Sequence, residues 1–580
     1  MKTVYTDRSR ILAYQQCPRL RYLQYHQDGT GIESARKPLP LAVGGAVHKG
    51  LETLLRDGGA MWEHGDPAIK LPWGELSKVW MTKIEDDAVA AALADFSTHR
   101  SALALDLTEA TALAAALDPK DGGFAAQLTA TAQELGMSPD DPSLAELLGR
   151  QRNAAAEYDD WLWREQAALV EGMVRAYARR RLRPLLEEFE VLEVEREEEW
   201  ELAEEWMLNP NGDPYCRKCG EHWARTTHNP NKKVEGSHTF ENPNYLGPIR
   251  FLSRPDALLR SRADNSLYLL SFKTAASWDI RKERDAQHDM QGLSEGVGVE
   301  KRLGEWWALL HSRIMPQQGN PPIDAPSQAM YNYLVALPAP PRILGIRYEY
   351  LLKSSRYADK DLAARFGLNV WAQRSHLIRA YQGADNSWCW SYEFKKDDGG
   401  DSKLYYKNWR PKAVWEVMSI KQWIDMLDAS IETMSAEDST IGMEPRLLGY
   451  RSEAQAQGYT ATHPLDDVFP APLTVYRQDD DLRDWVEQTE AQERRVAEAV
   501  ARIDAAVDDG EKRHLLNVLA PMSRRSCSYP VECVYAKSIC YGGEDARRDP
   551  LGTGAFRRRE PNHPAEDAVL NSVAAQGPIR

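Results

Sequence analysis

Apolar residues recur at helical spacing early in the chain, where Ile11, Leu12, Tyr14, Leu20, Tyr22 and Leu23 interleave with arginines. The pattern predicts a helix over 7–28. Gly44-Gly45-Ala46-Val47-His48 opens a second helix, continued by Leu51, Leu54 and Leu55. From about 80 to 155 the chain is rich in Ala, Leu and Asp, with breaks at Asp118-Pro119 and Ser138-Pro139. That reads as a helical insertion. An amphipathic helix follows over 157–189 and carries Arg175, Arg179, Arg180, Arg181 and Arg183. Arginines near a helix C-terminus follow from the dipole alone, so phosphate binding and dipole compensation both stay open.

The period then changes to two. Val191-Leu192-Glu193-Val194-Glu195 alternates, Ile249-Arg250-Phe251 leads into Asp256-Ala257-Leu258-Leu259, and Leu267 to Phe272 follows the turn Ala263-Asp264-Asn265-Ser266. These are predicted strands. A helix with Asp289 and Gln291, a Pro-rich loop near 315–326, a helix around Met330–Leu334 and the strand Ile343–Tyr350 come next. Short helices and aromatic strands such as Trp388-Cys389-Trp390 fill 355–470, and a helix near 480–508 precedes the last cysteines. Domain boundaries follow at 1–79, an insertion at 80–156, a core at 157–354 with a hairpin insertion at 208–245, a mixed segment at 355–510, a cysteine segment at 511–545 and a tail at 546–580. The tail, rich in Arg, Pro, Gly and Asp, is expected to be disordered.

Composition narrows the class. Hydrophobic residues make 43% and charged residues 27% of the chain, as in soluble globular proteins. No apolar run reaches the 18 or so residues of a membrane span, and the opening Met1-Lys2-Thr3-Val4 is no signal peptide. Seven unevenly spread cysteines do not resemble a secreted disulfide framework. The expectation is a cytoplasmic protein of a bacterial or phage-infected cell, with no membrane partner. A net charge of −15 argues against nucleic-acid binding through overall charge but leaves room for a local basic groove.

Two constellations carry chemistry. Cys17 stands in the basic segment Gln16-Cys17-Pro18-Arg19, and Cys527, Cys533 and Cys540 form a C-x5-C-x6-C run near the other end. Four thiolates are what an iron–sulfur cluster needs; the plainer alternative is four ordinary buried thiols. Asp256 and Lys273 end two adjacent predicted strands, so a carboxylate and a lysine can meet at the sheet's end. The carboxylate would hold Mg²⁺ or Mn²⁺, and the lysine would orient water and offset phosphate charge. His48 and Glu195 are candidate further ligands. Asp256 after Pro255 also suits a turn cap, His48 a core histidine, and Glu195 a solvated acidic face.

These pieces resemble the PD-(D/E)xK nuclease superfamily in its RecB-like branch with an iron–sulfur cluster, which includes AddB nuclease domains, CRISPR-associated RecB-like exonucleases and phage relatives. The matching residues, in the family's order, are Ser9-Arg10, Cys17-Pro18-Arg19, Gly45-Ala46-Val47-His48, Arg254-Pro255-Asp256, Phe272-Lys273-Thr274, Gln291, and Cys527, Cys533 and Cys540. They anchor about 200 residues. The resemblance implies an α/β restriction-endonuclease-like core, a mixed sheet flanked by helices, with large helical insertions. It implies a [4Fe–4S] cluster stapling the two chain ends for structural reasons. It also implies metal-dependent DNA hydrolysis, commonly exonucleolytic and often on single-stranded ends, with a helicase or recombination protein as partner.

Three departures qualify it. Ser271 stands where the family has its second acid, two residues before the lysine. A hydroxyl is a poor Mg²⁺ ligand, so either the site is silent or another acid, such as Glu193, Glu195 or Asp289, takes over. A catalytically inactive subunit that binds DNA or protein is therefore the alternative function. Gln291 matches the glutamine of the family's Q-x3-Y motif, but Glu295 replaces the tyrosine, and Gln328 near Tyr331 is a second candidate. The cysteine spacing is looser than the family's compact C-x2-C-x5-C. Separately, Cys216-Arg217-Lys218-Cys219 is a C-x2-C knuckle with His222, His228 and His238 nearby, which suits a structural Zn²⁺.

Overall fold

The computed structural model describes residues 4–35, 37–64, 78–100, 103–104, 132–133, 138, 142–203, 206–207, 245–246, 248–287, 289–312, 328–367, 370–382, 388–389, 391–395, 403–407, 411–435, 465, 468–527, 533–543, 546–547 and 549–559. They form an α/β protein in which helices flank several small sheets.

The N-terminal part contributes β1 (Val4–Thr6), α1 (Arg8–Gln16), α2 (Pro18–Tyr25), β2 (Ile32–Ser34), α3 (Leu39–His64), α4 (Lys78–Thr98) and α5 (Pro142–Tyr177). The centre contributes β3 (Phe189–Val194), β4 (Glu198–Ala203), β5 (Ile249–Ser253), β6 (Ala257–Ser261), β7 (Leu267–Ala275), α6 (Met290–His311), α7 (Gln328–Ala336) and β8 (Ile343–Leu352). The C-terminal part adds α8 (Ile420–Ser435), β9 (Leu473–Tyr476), α9 (Asp479–Asp504), α10 (Asp509–Leu519) and β10 (Phe556–Arg558).

The principal sheet has the order β9-β8-β7-β6-β3. Every neighbouring pair is antiparallel except β7 and β8, which run parallel. Parallel neighbours need a long crossover, and α6 and α7 lie within it. Side chains alternate across β6 and β7. Leu259, Leu270 and Phe272 join a core built with α3, α4, α5 and α8. Leu258, Leu267 and Leu269 point the other way and pack with Val299 and Leu303 of α6 and Met330 and Leu334 of α7. Leu51, Leu54 and Leu55 of α3 are fully buried, each contributing about 1.5–3 kcal/mol of hydrophobic stabilisation. A smaller sheet, β1-β5-β4, packs Phe251 and Trp200 against Trp485 of α9.

Several sequence expectations shift. The helix expected over 7–28 is two helices, because Pro18 starts α2 and Cys17 between them is extended, φ −165°. The Gly44-Gly45 pair lies inside α3 and does not open it. The helix expected over 157–189 begins at Pro142, crossing the boundary set at 156, and ends before β3. α4 and α5 share the principal core, so this part of the expected insertion is integral to it. The segment 355–510 supplies β9, an edge strand of the principal sheet. Part of the expected disordered tail is ordered: β10 pairs with β2, Phe556 opposite Ser34.

Candidate active site

His48, Glu195 and Asp256 bring one ligand atom each within 4.8 Å of one another. Each arrives from a different element. Gly44 lets α3 lie close to β7, since a Cβ there would meet Thr274 Oγ1 at 3.0 Å. One helical turn later His48 faces the sheet end, its Nδ1 3.2 Å from Asp256 Oδ1. Asp256 precedes β6 and accepts the Phe272 backbone N–H on Oδ2 at 2.5 Å. Glu195 follows β3 in the left-handed region at φ 50°, a conformation costing a glutamate about 1 kcal/mol or more. Its own N–H donates to the Asp256 carbonyl at 3.1 Å, which holds that turn in place. Arg254 Nε closes the rim, 2.8 Å from Glu195 Oε2.

Burial and mutual charge set the electrostatics of this group. Burial, then the charge of Asp256, pushes Glu195 up to about 7. Burial opposes a charge on His48, but Asp256 outweighs it and raises the imidazole. Burial likewise opposes ionisation of Asp256, and His48, with the Phe272 N–H and Lys273, holds its carboxyl below the usual range.

Lys273 lies on β7, two residues after Ser271. Its Nζ is 3.2 Å from Asp289 Oδ2 and donates to Gln291 Oε1. Asp289 caps α6 by accepting the Gln291 N–H at 3.0 Å. Arg8, the first residue of α1, clamps the same pair, reaching Asp289 Oδ1 at 3.1 Å and Gln291 Oε1. Asp289 and Gln291 thus serve as anchors for Lys273. Gln291 makes this contact; the side chain of Gln328 lies outside the described residues. Ser271 stands opposite Asp256, one step beyond the Ala257–Leu270 pair. It is 1% exposed and its Oγ has no hydrogen-bond partner.

Among the acids considered as replacements for position 271, Glu193 has an ion-pair partner of its own. It is bound to Arg302 of α6 at 2.5 Å, and the same arginine holds Glu198 at 2.7 Å. Sequence reasoning missed Arg8 as a clamp and Glu295 as a neighbour of the site. Glu295 is 3% exposed and one turn beyond Gln291. Burial, then Asp256, pushes it up to about 8. Its only sequence signal is the i, i+4 spacing from Gln291.

The four cysteines converge some distance along the chain from this site. Cys17, Cys527, Cys533 and Cys540 line one cavity with Leu20, Met522 and Tyr535. The Ser523 N–H donates to Cys17 Sγ at 3.3 Å. Arg19 joins the two chain ends through the Ala520 carbonyl at 2.9 Å and Asn517 at 3.0 Å. Burial raises Cys533, and raises Cys540 to about 11 despite nearby Arg19. The four thiols form a donor set that could hold a cluster. A single tetrahedral zinc, with bonds of about 2.3 Å, would draw them to about 3.8 Å from one another. Among the described residues no three of these sulfurs lie within 4.8 Å of one another, a spacing wider than one zinc sets. The candidate zinc ligands Cys216, Cys219, His222 and His228, with His238, lie outside the described residues.

Among the described residues no helix is long and apolar enough to cross a membrane. No protein-family model matches this chain, and no curated protein matches it at a significant level.

Proposed function

We propose that this protein is a metal-dependent DNA nuclease with a restriction-endonuclease-like core, acting as an exonuclease in phage or bacterial recombination, repair or defence. The observation that carries this reading is the meeting of His48, Glu195 and Asp256 within 4.8 Å at the sheet end that also presents Lys273. The order α3, β3, β6, β7, α6, β8, with Asp256 and Lys273 on neighbouring antiparallel strands, supports the resemblance to the PD-(D/E)xK core.

In this reading His48, Glu195 and Asp256 hold Mg²⁺ or Mn²⁺. Such an ion supplies Lewis acidity toward a phosphate oxygen and a bound water of lowered pKa. The Phe272 N–H fixes Asp256 Oδ2 and so presents the carboxylate toward His48. Lys273, anchored by Asp289 and Gln291, orients the attacking water and offsets charge on the phosphate. Arg8 and Arg254, with side chains 37% and 49% exposed, would in this reading contact flanking phosphates. Local cations of this kind reconcile DNA binding with the net charge of −15.

The cysteine set fits a [4Fe–4S] cluster whose role is to tie α1 and α2 to the C-terminal segment. A zinc knuckle at Cys216 and Cys219, and a helicase or recombination partner in the cytoplasm, belong to the same proposal. The second reading, a silent nuclease fold that binds DNA or protein, is favoured by one observation, Ser271 in place of an acid.

The test is cleavage of end-labelled single- and double-stranded DNA by anaerobically purified protein with Mg²⁺ or Mn²⁺, beside a Lys273→Ala variant. Cleavage that needs the ion and disappears with Lys273 supports the nuclease. DNA binding without cleavage by folded, iron-loaded protein favours the silent reading.

A further inference from the structure

The face of β7 that carries Ser271 is covered by α6. Leu267 and Leu269, on the same face as Ser271, pack with Val299 and Leu303 of that helix. A serine there leaves a small, buried hydroxyl with no hydrogen-bond partner. From the covering helix comes a buried acid that is bonded to the Gln291 side chain and has one oxygen to spare. Glu295 is 3% exposed, and its Oε2 has no partner. It also lines a cavity of about 320 Å³ with Gln291, Arg8 and Arg254.

A buried carboxylate oxygen without a partner is costly, and the neighbouring Ser294 hydroxyl donates to the Gln291 carbonyl rather than to Glu295. Gln291, one turn before Glu295 on α6, accepts from Lys273 Nζ, so Glu295 lies at the end of the sheet that carries Lys273, where the charges of Asp256 and Lys273 act on it. The charge of Asp256 acts unfavourably on a charged Glu295, and a divalent cation shared by the two carboxylates would turn that repulsion into binding. Glu295 stands outside the trio of His48, Glu195 and Asp256. It approaches from the α6 face, whereas His48 approaches from the α3 face.

We propose that Glu295 is the second acidic metal ligand of this site, reaching from α6 into the space a carboxylate at position 271 would fill and holding a divalent cation together with Asp256. The acid has changed its place in the sequence and kept its place in space. This inference rests on the nuclease reading and names the residue through which the site works despite Ser271.

The test is Mn²⁺ binding by calorimetry, without DNA, to the iron-loaded full chain, with DNA cleavage measured in parallel. Wild type is compared with Glu295→Gln, Ser271→Asp and the double variant, each checked for folding by circular dichroism. Glu295→Gln should weaken Mn²⁺ binding by at least about tenfold and depress cleavage. Adding Ser271→Asp to Glu295→Gln should restore both, a rescue that a merely structural glutamate would not show. Mn²⁺ binding by folded Glu295→Gln within twofold of wild type overturns the assignment, as does a folded double variant without rescue. If wild type cleaves DNA in either case, the nuclease reading stands and only the ligand assignment falls. A wild type that binds no Mn²⁺ overturns both.

Discussion

The backbone N–H of Phe272 donates to Asp256 Oδ2 at 2.5 Å, tying the carboxylate before β6 to β7 one residue ahead of Lys273. The sheet ladder itself therefore sets the distance between acid and lysine. His48 and Glu195 then complete the group from α3 and from the turn after β3.

Lys273 depends on its anchor. Asp289→Asn removes the charge that holds Nζ at 3.2 Å but leaves Gln291 in place. The expected outcome is a cleavage rate lower by about tenfold, with little change in DNA affinity, since an orientation loss acts chiefly on the chemical step. Single-turnover cleavage and DNA titration separate the two; a variant that loses only affinity contradicts the anchoring role.

Cation binding should rise with pH. Glu195 holds its proton up to about 7, through burial and then Asp256. His48 is raised because Asp256 outweighs burial. Ligands must lose their protons to bind a metal, so Mn²⁺ affinity should climb from pH 6 upward and keep rising past pH 8, where Glu295, pushed up to about 8 by burial and then Asp256, gives up its proton. Calorimetry across that range checks it, and a flat profile counts against this trio.

Glu295 makes the opposite prediction for the metal-free fold. Its folded value of about 8 lies above the ordinary 4.5, so between these values the unfolded chain binds fewer protons than the folded one. Stability therefore falls as pH rises through that window. Glu295→Gln should relieve the penalty, by on the order of a few kcal/mol at pH 8, and give no gain below pH 4.5. Urea unfolding in a chelator, run at several pH values, measures this. A gain independent of pH would contradict the assignment of that penalty to Glu295.

The cysteines predict a metal-dependent junction between the chain ends. Wild-type protein purified anaerobically should carry about four irons per chain, and Cys17→Ser should lose most of them. With the cluster lost, the segment after Ala520 should become sensitive to limited proteolysis, because α1 and α2 no longer hold it. Zinc in place of iron would contradict the cluster.

A second link between the ends is independent of metal. Arg21 of α2 and Glu493 of α9 meet at 2.7 Å, each side chain 1% exposed. Removing one partner strands a buried charge, so Glu493→Ala should destabilise the fold by about 3–5 kcal/mol. Chemical denaturation tests this, and a loss below about 1 kcal/mol would show that water reaches Arg21.

Asp256 and Lys273 are legible in the sequence because two alternating strands and one short turn place them together without help from the rest of the chain. The cysteines are legible because a thiol set split across more than 500 residues makes chemical sense once gathered. Cys17 also breaks the expected first helix, a break foreshadowed only by Pro18. Glu295 was legible only as the residue at the tyrosine position of the Q-x3-Y motif, because what it faces depends on α6 folding back over the face that carries Ser271. The partner of Glu193 was hidden for a related reason, since its strand ends at the site while its side chain turns to Arg302 of a later helix. The start of α3 at Leu39 was missed because Gly44 and Gly45 read as a helix opening, whereas Gly44 serves close packing against Thr274.

The most direct test of the account is cleavage of DNA labelled at the 5′ or the 3′ end by wild type and by Asp256→Asn, with Mn²⁺ or with chelator. The account predicts Mn²⁺-dependent release of labelled nucleotides by wild type and a loss of at least about 100-fold in the variant, with folding and iron content unchanged. Equal cleavage by the two proteins, or none from folded, Mn²⁺-bound wild type, would contradict it.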